Sequence, residues 1–215
     1  MLTIKKNITK INRTVAKNRK KKYIVIHYTA NNGDTAKGNS EYFKEVNRNA
    51  SAHYFIDEKE IYQVVEDKDV AWSVGAKKYR HKDCRNENSI NIELCSRLLS
   101  GTKDCYYFKD ETIKQAQELT AMLMKQYNIP VENVLRHYDV TGKICPQPYI
   151  NNNLWRGFKQ GVIDKMIDNI DIKINGKNKT VHRILVNGEN YIKLRDFPEM
   201  NVVYNKESKK IEIDY

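Results

Sequence analysis

Over the first three-quarters of the chain, short β-branched runs alternate with stretches whose apolar residues recur at helical spacing. Lys22-Tyr23-Ile24-Val25-Ile26-His27-Tyr28 has the character of a buried strand, and His27 lies near its end beside the polar loop 29–34. Residues 52–56 and 60–65 flank Asp57-Glu58-Lys59 as a hairpin. Alternation there puts His53 and Phe55 on one face and Tyr54 and Ile56 on the other. Residues 88–95 read as a further strand, with Ile90, Ile92 and Leu94 on one side and Asn91, Glu93 and Cys95 on the other. Residues 134–136 form a last short strand, delivering His137.

Between these runs the spacing predicts helices. One covers 40–48, with Ser40 as N-cap and Tyr42, Phe43 and Val46 on one face. A second covers 110–127, capped at Asp110, with Ile113, Ala116, Leu119, Leu123 and Tyr127 in phase. A third covers 151–167 and buries Leu154, Phe158, Val162 and Met166. Helices interleaved with strands predict an α/β fold, a central mixed β-sheet flanked by helices.

The pattern changes near Asp168-Asn169. Beyond it come only short β-like pieces, at 171–174, 183–186, 191–194, 202–204 and 210–213. Asn175-Gly176, Asn187-Gly188 and residues 205–208 separate or flank them as turns. Three parts are expected: a basic arm over 1–22, packed on or leading into the next part; an α/β domain over 23–168; and a small β-rich domain over 170–215 with a thin core.

Composition narrows the class. A hydrophobic content of 40% with fourteen tyrosines excludes wholesale disorder. No stretch approaches the ~20 apolar residues of a membrane span. The basic start leads into no apolar segment of a secretory leader, so a protein made in the cytoplasm is expected. The formal charge of +11 is uneven: residues 1–22 hold nine Lys or Arg and no acid, whereas 23–169 hold twenty of each sign. Such an arm suits a polyanion, either nucleic acid or an anionic wall polymer, or is a solvated leader. The four cysteines are expected as thiols. Cys95 reads as a small buried hydrophobe; Cys84 and Cys105 stand in polar surroundings.

Cys145 differs. In Arg136-His137-Tyr138-Asp139-Val140-Thr141-Gly142-Lys143-Ile144-Cys145-Pro146 an imidazole and a thiol stand eight residues apart, a lysine two before the thiol. That spacing is too wide for one helical turn and predicts a loop folded so that both side chains reach one centre. His and Cys are preferred Zn²⁺ ligands, and two make half a site. His27 is the third candidate; His53 and His81 remain as closing ligands. Three protein ligands leave a position for water, which a metal makes nucleophilic. Hydrolysis also needs a base and a cation at the oxyanion, roles open to Glu93 and Lys143. Trp72 is either core or the wall of a groove.

Six segments in register carry a resemblance: Ile24–Ala30, Ser51–Ile56, Ile61–Gln63, Ala71-Trp72, Asn88–Glu93 and His137 through Gly142-Lys143-Ile144-Cys145-Pro146. Together they resemble the zinc-dependent N-acetylmuramoyl-L-alanine amidases of the type-2 amidase and peptidoglycan-recognition-protein superfamily, over roughly residues 20–165. The resemblance implies Zn²⁺ on His27, His137 and Cys145, and Lys143 at the oxyanion. It implies hydrolysis of the amide joining N-acetylmuramic acid to the L-alanine of the stem peptide. Glu93 matches the catalytic glutamate of one branch; the other branch uses a tyrosine where this chain has His53. Glu93 is therefore expected as the base, with His53 and Trp72 lining the substrate site. Ser73 replaces a histidine that many members carry after the tryptophan.

The tail, through Ile184–Phe197, is similar to a β-rich repeat in copper-amine-oxidase-N-terminal-like domains of clostridial wall proteins. The expectation is a phage or prophage endolysin that reaches peptidoglycan of a Gram-positive, clostridial-type wall after release through a holin or on lysis. Its other expected partner is an anionic wall polymer, with no nucleic acid. The rivals are a bacterial autolysin, a non-catalytic peptidoglycan binder and a nucleic-acid binder; the last leaves the His/Lys/Cys group without a purpose.

Overall fold

β-Branched runs short enough to be buried on both faces assemble into one sheet, as parallel pairing requires. The computed structural model describes residues 2–174, 176–186, 189–193, 196–197, 201–205 and 210–214; for residue 186 and the last two segments this is backbone alone. The chain divides into two compact units, Met1–Lys165 and Met166–Tyr215.

In the first unit the elements run β1 (Ile4–Lys6), β2 (Tyr23–Tyr28), α1 (Ala36–Tyr42), β3 (Tyr54–Ile56), β4 (Ile61–Gln63), β5 (Ser89–Leu94), β6 (Arg97–Leu98), β7 (Tyr106–Tyr107), α2 (Asp110–Tyr127), β8 (Val134–Arg136), α3 (His137–Thr141) and α4 (Asn152–Asp164). The main sheet has the order β1-β4-β3-β5-β2-β8. Only the β3–β4 hairpin is antiparallel; β2 lies parallel to β5 and β8, and β1 parallel to β4. The mixed sheet flanked by helices is the expected architecture.

Register places the chemistry. His27 pairs with Glu93, Glu93 with Phe55, and Val25 with Asn91 and Leu135. One face of the sheet therefore carries Ser89, Asn91 and Glu93 along β5, beside Tyr23, Val25 and His27 along β2. Ala36 of α1, the 74–84 loop and Val140 of α3 close parts of this face around Phe55 and Val25. The opposite face is apolar, with Ile24, Ile26, Ile56, Ile90, Ile92 and Leu94 fully buried, and α2 packs on it with α4 alongside. Ala116, Leu119 and Leu123 of the predicted in-phase set are buried in the stripe of α2, while Ile113 and Tyr127 at its two ends are half-buried.

Lys109, not Asp110, is the N-cap of α2, and in α4, which ends at Asp164, Leu154 is exposed while Trp155 is buried. Two other helices depart further from expectation. The first is Ala36–Tyr42, not 40–48, because Thr35 caps it: its hydroxyl accepts from the Gly38 N–H at 3.0 Å. Ser40 is buried inside it, donating to the Lys37 carbonyl. The second is α3, in the segment expected as a loop. Asp139 accepts from the Arg136 backbone N–H at 2.8 Å and opens the helix; Gly142, at φ 88°, ends it. Cys84, expected in polar surroundings, is buried against Tyr23, Val25, Val74 and Val140. All four cysteines are free thiols.

The N-terminal arm is part of this unit. Thr9 donates from its N–H to the Val64 carbonyl, and Thr14 bridges to Val70. Arg13 is paired with buried Asp69. Arg19 donates to the carbonyls of Asp67, Asn86 and Ser89. With Lys5 paired to Glu60 and Lys22 to Asp83, at least four of the arm's cations have partners within the unit, which a freely solvated leader would not have.

The second unit is a β9 (Ile167–Ile174), β10 (Lys177–Val186), β11 (Glu189–Ile192) antiparallel sheet and a β12 (Asn201–Asn205), β13 (Lys210–Asp214) hairpin. The compositional shift at Asp168-Asn169 falls inside β9, which pairs along its whole length with β10, so the unit begins slightly earlier than the composition suggests. The expected turn at Asn187-Gly188, with Asn175, 206–208 and the Leu194-Arg195 part of the tail resemblance, lies outside the described residues. No helix among the described residues is long and apolar enough to cross a membrane.

Candidate metal centre and cleft

His27 is the penultimate residue of β2, and His137 opens α3 directly after the neighbouring β8. The chain then turns at Gly142 and comes back: the Tyr138 N–H donates to the Cys145 carbonyl at 2.8 Å, which closes the eight-residue interval. The positive φ of Gly142 favours glycine there; an added Cβ would meet only the exposed, movable end of the Arg80 side chain. Arg136 fixes the return. It forks onto Asp139 at 2.6 and 3.0 Å and donates to the Tyr149 carbonyl at 2.8 Å.

As a result, one donor atom each from His27, His137 and Cys145 lie within 4.8 Å of one another, all three residues buried. Cys145 Sγ is 3.8 Å from His27 Nδ1. His137 Nδ1 is a buried atom without a hydrogen-bond partner, and so is Glu93 Oε2. Unpartnered buried donors and acceptors are costly in a finished site, and an ion that accepts their lone pairs removes the cost. The donor set of two imidazoles and a thiol fits Zn²⁺.

Electrostatics suit that role. Burial, then neighbouring His137, holds His27 well below the usual histidine range. Burial, then Lys143, holds His137 at about 4. Both imidazoles are neutral near pH 7, as ligation requires. Burial, with Glu93 next in effect, pushes the Cys145 thiol up to about 12, so its thiolate needs a cation beside it. Burial also raises the Glu93 carboxyl to about 8, partly opposed by Lys143. Glu93 Oε1 stands 3.9 Å from His27 Nδ1. A carboxyl tuned this close to neutrality beside a ligand trio is equipped to take and return a proton.

Two clefts open on the site and share Lys143. One, of about 480 Å³, is lined by Trp72, Ser73, Asn86 and His137. The other, of about 500 Å³, is lined by Asp34, Asn39, Tyr42, Phe43 and Glu93. Trp72 is thus a wall residue, its indole N–H donating to Thr14. Phe43 and Phe55, stacked on each other, both line the second cleft.

His53 stands elsewhere. It is fully buried beneath the sheet's polar row, where its Nδ1 accepts from the Asn91 N–H at 3.0 Å and its Nε2 lies 3.2 Å from the Asp69 carbonyl. Neither nitrogen is left to line a substrate site, which corrects the expectation placed on it. His81, the other spare imidazole, receives the N–H groups of Asp83 and Cys84 on Nδ1. Among the described residues neither joins the trio.

Asn91 is the residue that sequence reasoning passed over. Its Oδ1 lies 3.0 Å from His27 Nε2. The signal was present: Ser89, Asn91 and Glu93 form a polar i, i+2, i+4 row on a strand otherwise built for burial.

The sequence profile of the N-acetylmuramoyl-L-alanine amidases matches residues 17–148. The curated N-acetylmuramoyl-L-alanine amidase CwlL of Bacillus licheniformis is 33% identical over 181 residues, 79% of this chain but 49% of that relative, so the chain spans about half the relative's length. Among solved structures, a mutant endolysin from Bacillus subtilis superposes with a TM-score of 0.62 at 30% identity, covering 75% of this chain and 99% of the other. The catalytic domain of XlyA gives 0.61 at 28% identity, covering 75% and 99%.

Proposed function

This chain belongs to the N-acetylmuramoyl-L-alanine amidase family, and from that premise we propose that it hydrolyses the amide joining N-acetylmuramic acid to the L-alanine of the peptidoglycan stem. The observation that carries the reading is the buried trio His27, His137 and Cys145 with Glu93 beside it. Zn²⁺ held by the trio supplies Lewis-acid polarisation of a carbonyl and lowers the pKa of a water.

The chain's own residues supply the rest. Glu93 accepts the proton that the attacking water loses and returns it to the nitrogen of the departing L-alanine as the C–N bond breaks. The Lys143 ammonium, at the junction of the two clefts, offsets charge gathering on the carbonyl oxygen. The clefts on either side of Lys143 leave room for substrate on both sides of the scissile bond, with Trp72 walling one of them. The place of action is then the cell wall, and the second unit is a wall-binding module. Exposed lysines of the arm, such as Lys10, Lys17 and Lys20, favour an anionic wall polymer by an attraction that salt weakens.

The test is a metal analysis of the purified chain together with the release of new amino groups from purified walls. Cys145→Ser is expected to lose zinc and amino-group release together. If it retains both in full, the reading fails.

A further inference from the structure

Of the three polar residues that β5 turns toward the site, only Glu93 has a part in the chemistry above. Ser89 and Asn91 are fully buried, and His27 is 1% exposed. Their hydrogen bonds have one consistent direction. The Ser89 hydroxyl donates to the Arg85 carbonyl at 2.7 Å. A hydroxyl has a single proton, so toward Asn91 its oxygen can only accept, and it does so from Asn91 Nδ2 at 3.1 Å. The carboxamide is thereby turned with Oδ1 toward His27 Nε2, 3.0 Å away. A carboxamide oxygen only accepts, so Nε2 carries the imidazole proton. Nδ1 is left with its lone pair, and Nδ1 is the nitrogen facing Cys145 Sγ at 3.8 Å and Glu93 Oε1 at 3.9 Å.

The backbone of Asn91 is held as well. Its N–H donates to His53 Nδ1, and its carbonyl accepts from the His53 N–H, both at 3.0 Å. The imidazole that fails to reach the cleft anchors the residue that orients a ligand.

We infer that Asn91 is a positioning residue that sets the tautomer of His27, its own orientation inherited from the Arg85 carbonyl through Ser89. The consequence for metal binding rests on the zinc reading above; the tautomer itself does not. Outer partners of this kind fix ligand orientation, and their loss costs ~10–100-fold in metal affinity.

Two measurements decide it. Histidine nitrogen shifts of the metal-free protein are expected to show neutral His27 protonated on Nε2 in the wild type and as a mixture of the Nε2–H and Nδ1–H tautomers in Asn91→Leu. Chelator competition with zinc is expected to show Asn91→Leu weakened ~10–100-fold, Ser89→Ala less so, and Asn91→Asp, which keeps an acceptor, near the wild type. A wild-type His27 protonated on Nδ1 overturns the inference. So does a folded Asn91→Leu that binds zinc as tightly as the wild type. Should Asn91→Leu not fold, the wild-type shifts and Ser89→Ala decide in the same sense. A wild type that binds no zinc sinks the metal reading, while the metal-free shifts still decide the tautomer.

Discussion

Glu93 brings sheet register and chemistry together at a single residue. It stands between His27 and Phe55 in the pairing of three strands, so its position is set by the sheet and not by a loop. Replacing it with Gln keeps the shape and removes the proton acceptor. Glu93→Gln is expected to lose ~10²–10⁴-fold in turnover, the usual worth of a general base, with its zinc content unchanged. Undiminished turnover would move the base to another group. Strand alternation put Asn91 and Glu93 on one side of β5, but that His27 shares this side follows only from the pairing of β2 with β5. Alternation also could not distinguish a side chain that reaches the cleft from one, such as His53, whose nitrogens are occupied by a neighbouring backbone. That depends on partners distant in sequence.

Among the elements, the long helix α2 and strand β5 were the most legible, because apolar spacing alone decides them. Helix α1 is capped at Thr35, five residues before the expected Ser40, because a hydroxyl at either position suits an N-cap and only tertiary packing buries the second. Helix α3 was hidden because five residues are too few to show a period. A cluster of charges ties elements together at the β3–β4 turn: Glu58 accepts from Arg97 at 2.7 Å and from Lys109, at the start of α2, at 2.9 Å. Burial would raise the Glu58 carboxyl, but the Lys109 ammonium, the backbone and Arg97 outweigh it and hold the pKa at about 2. A carboxyl depressed on folding lends stability above its unfolded pKa and loses it as pH falls toward the folded value. Glu58→Gln is therefore expected to lower the thermal midpoint at pH 6. Its deficit relative to the wild type should shrink as pH falls from about 4.5 to about 2. A constant deficit across that window would assign the loss to packing.

At the scale of the whole molecule, every residue of the candidate site lies in the first unit. Removing residues 166–215 is expected to leave turnover of soluble muropeptides intact while co-sedimentation with purified walls falls. Lost turnover would mean that the second unit supports the catalytic fold instead. The arm's charge was plain in the sequence, yet its place was not, since β1 pairs with a strand more than fifty residues away and three residues carry no period. That pairing has a consequence for self-association. A bare sheet edge is a template for other chains, and natural edges are kept short and lysine-bearing to discourage this. Strand β1 covers β4 and ends the sheet with Lys5 and Lys6, both exposed. The first few residues therefore act as a guard on the sheet, and a chain trimmed of them would offer Ile61-Tyr62-Gln63 as an open edge to its own copies.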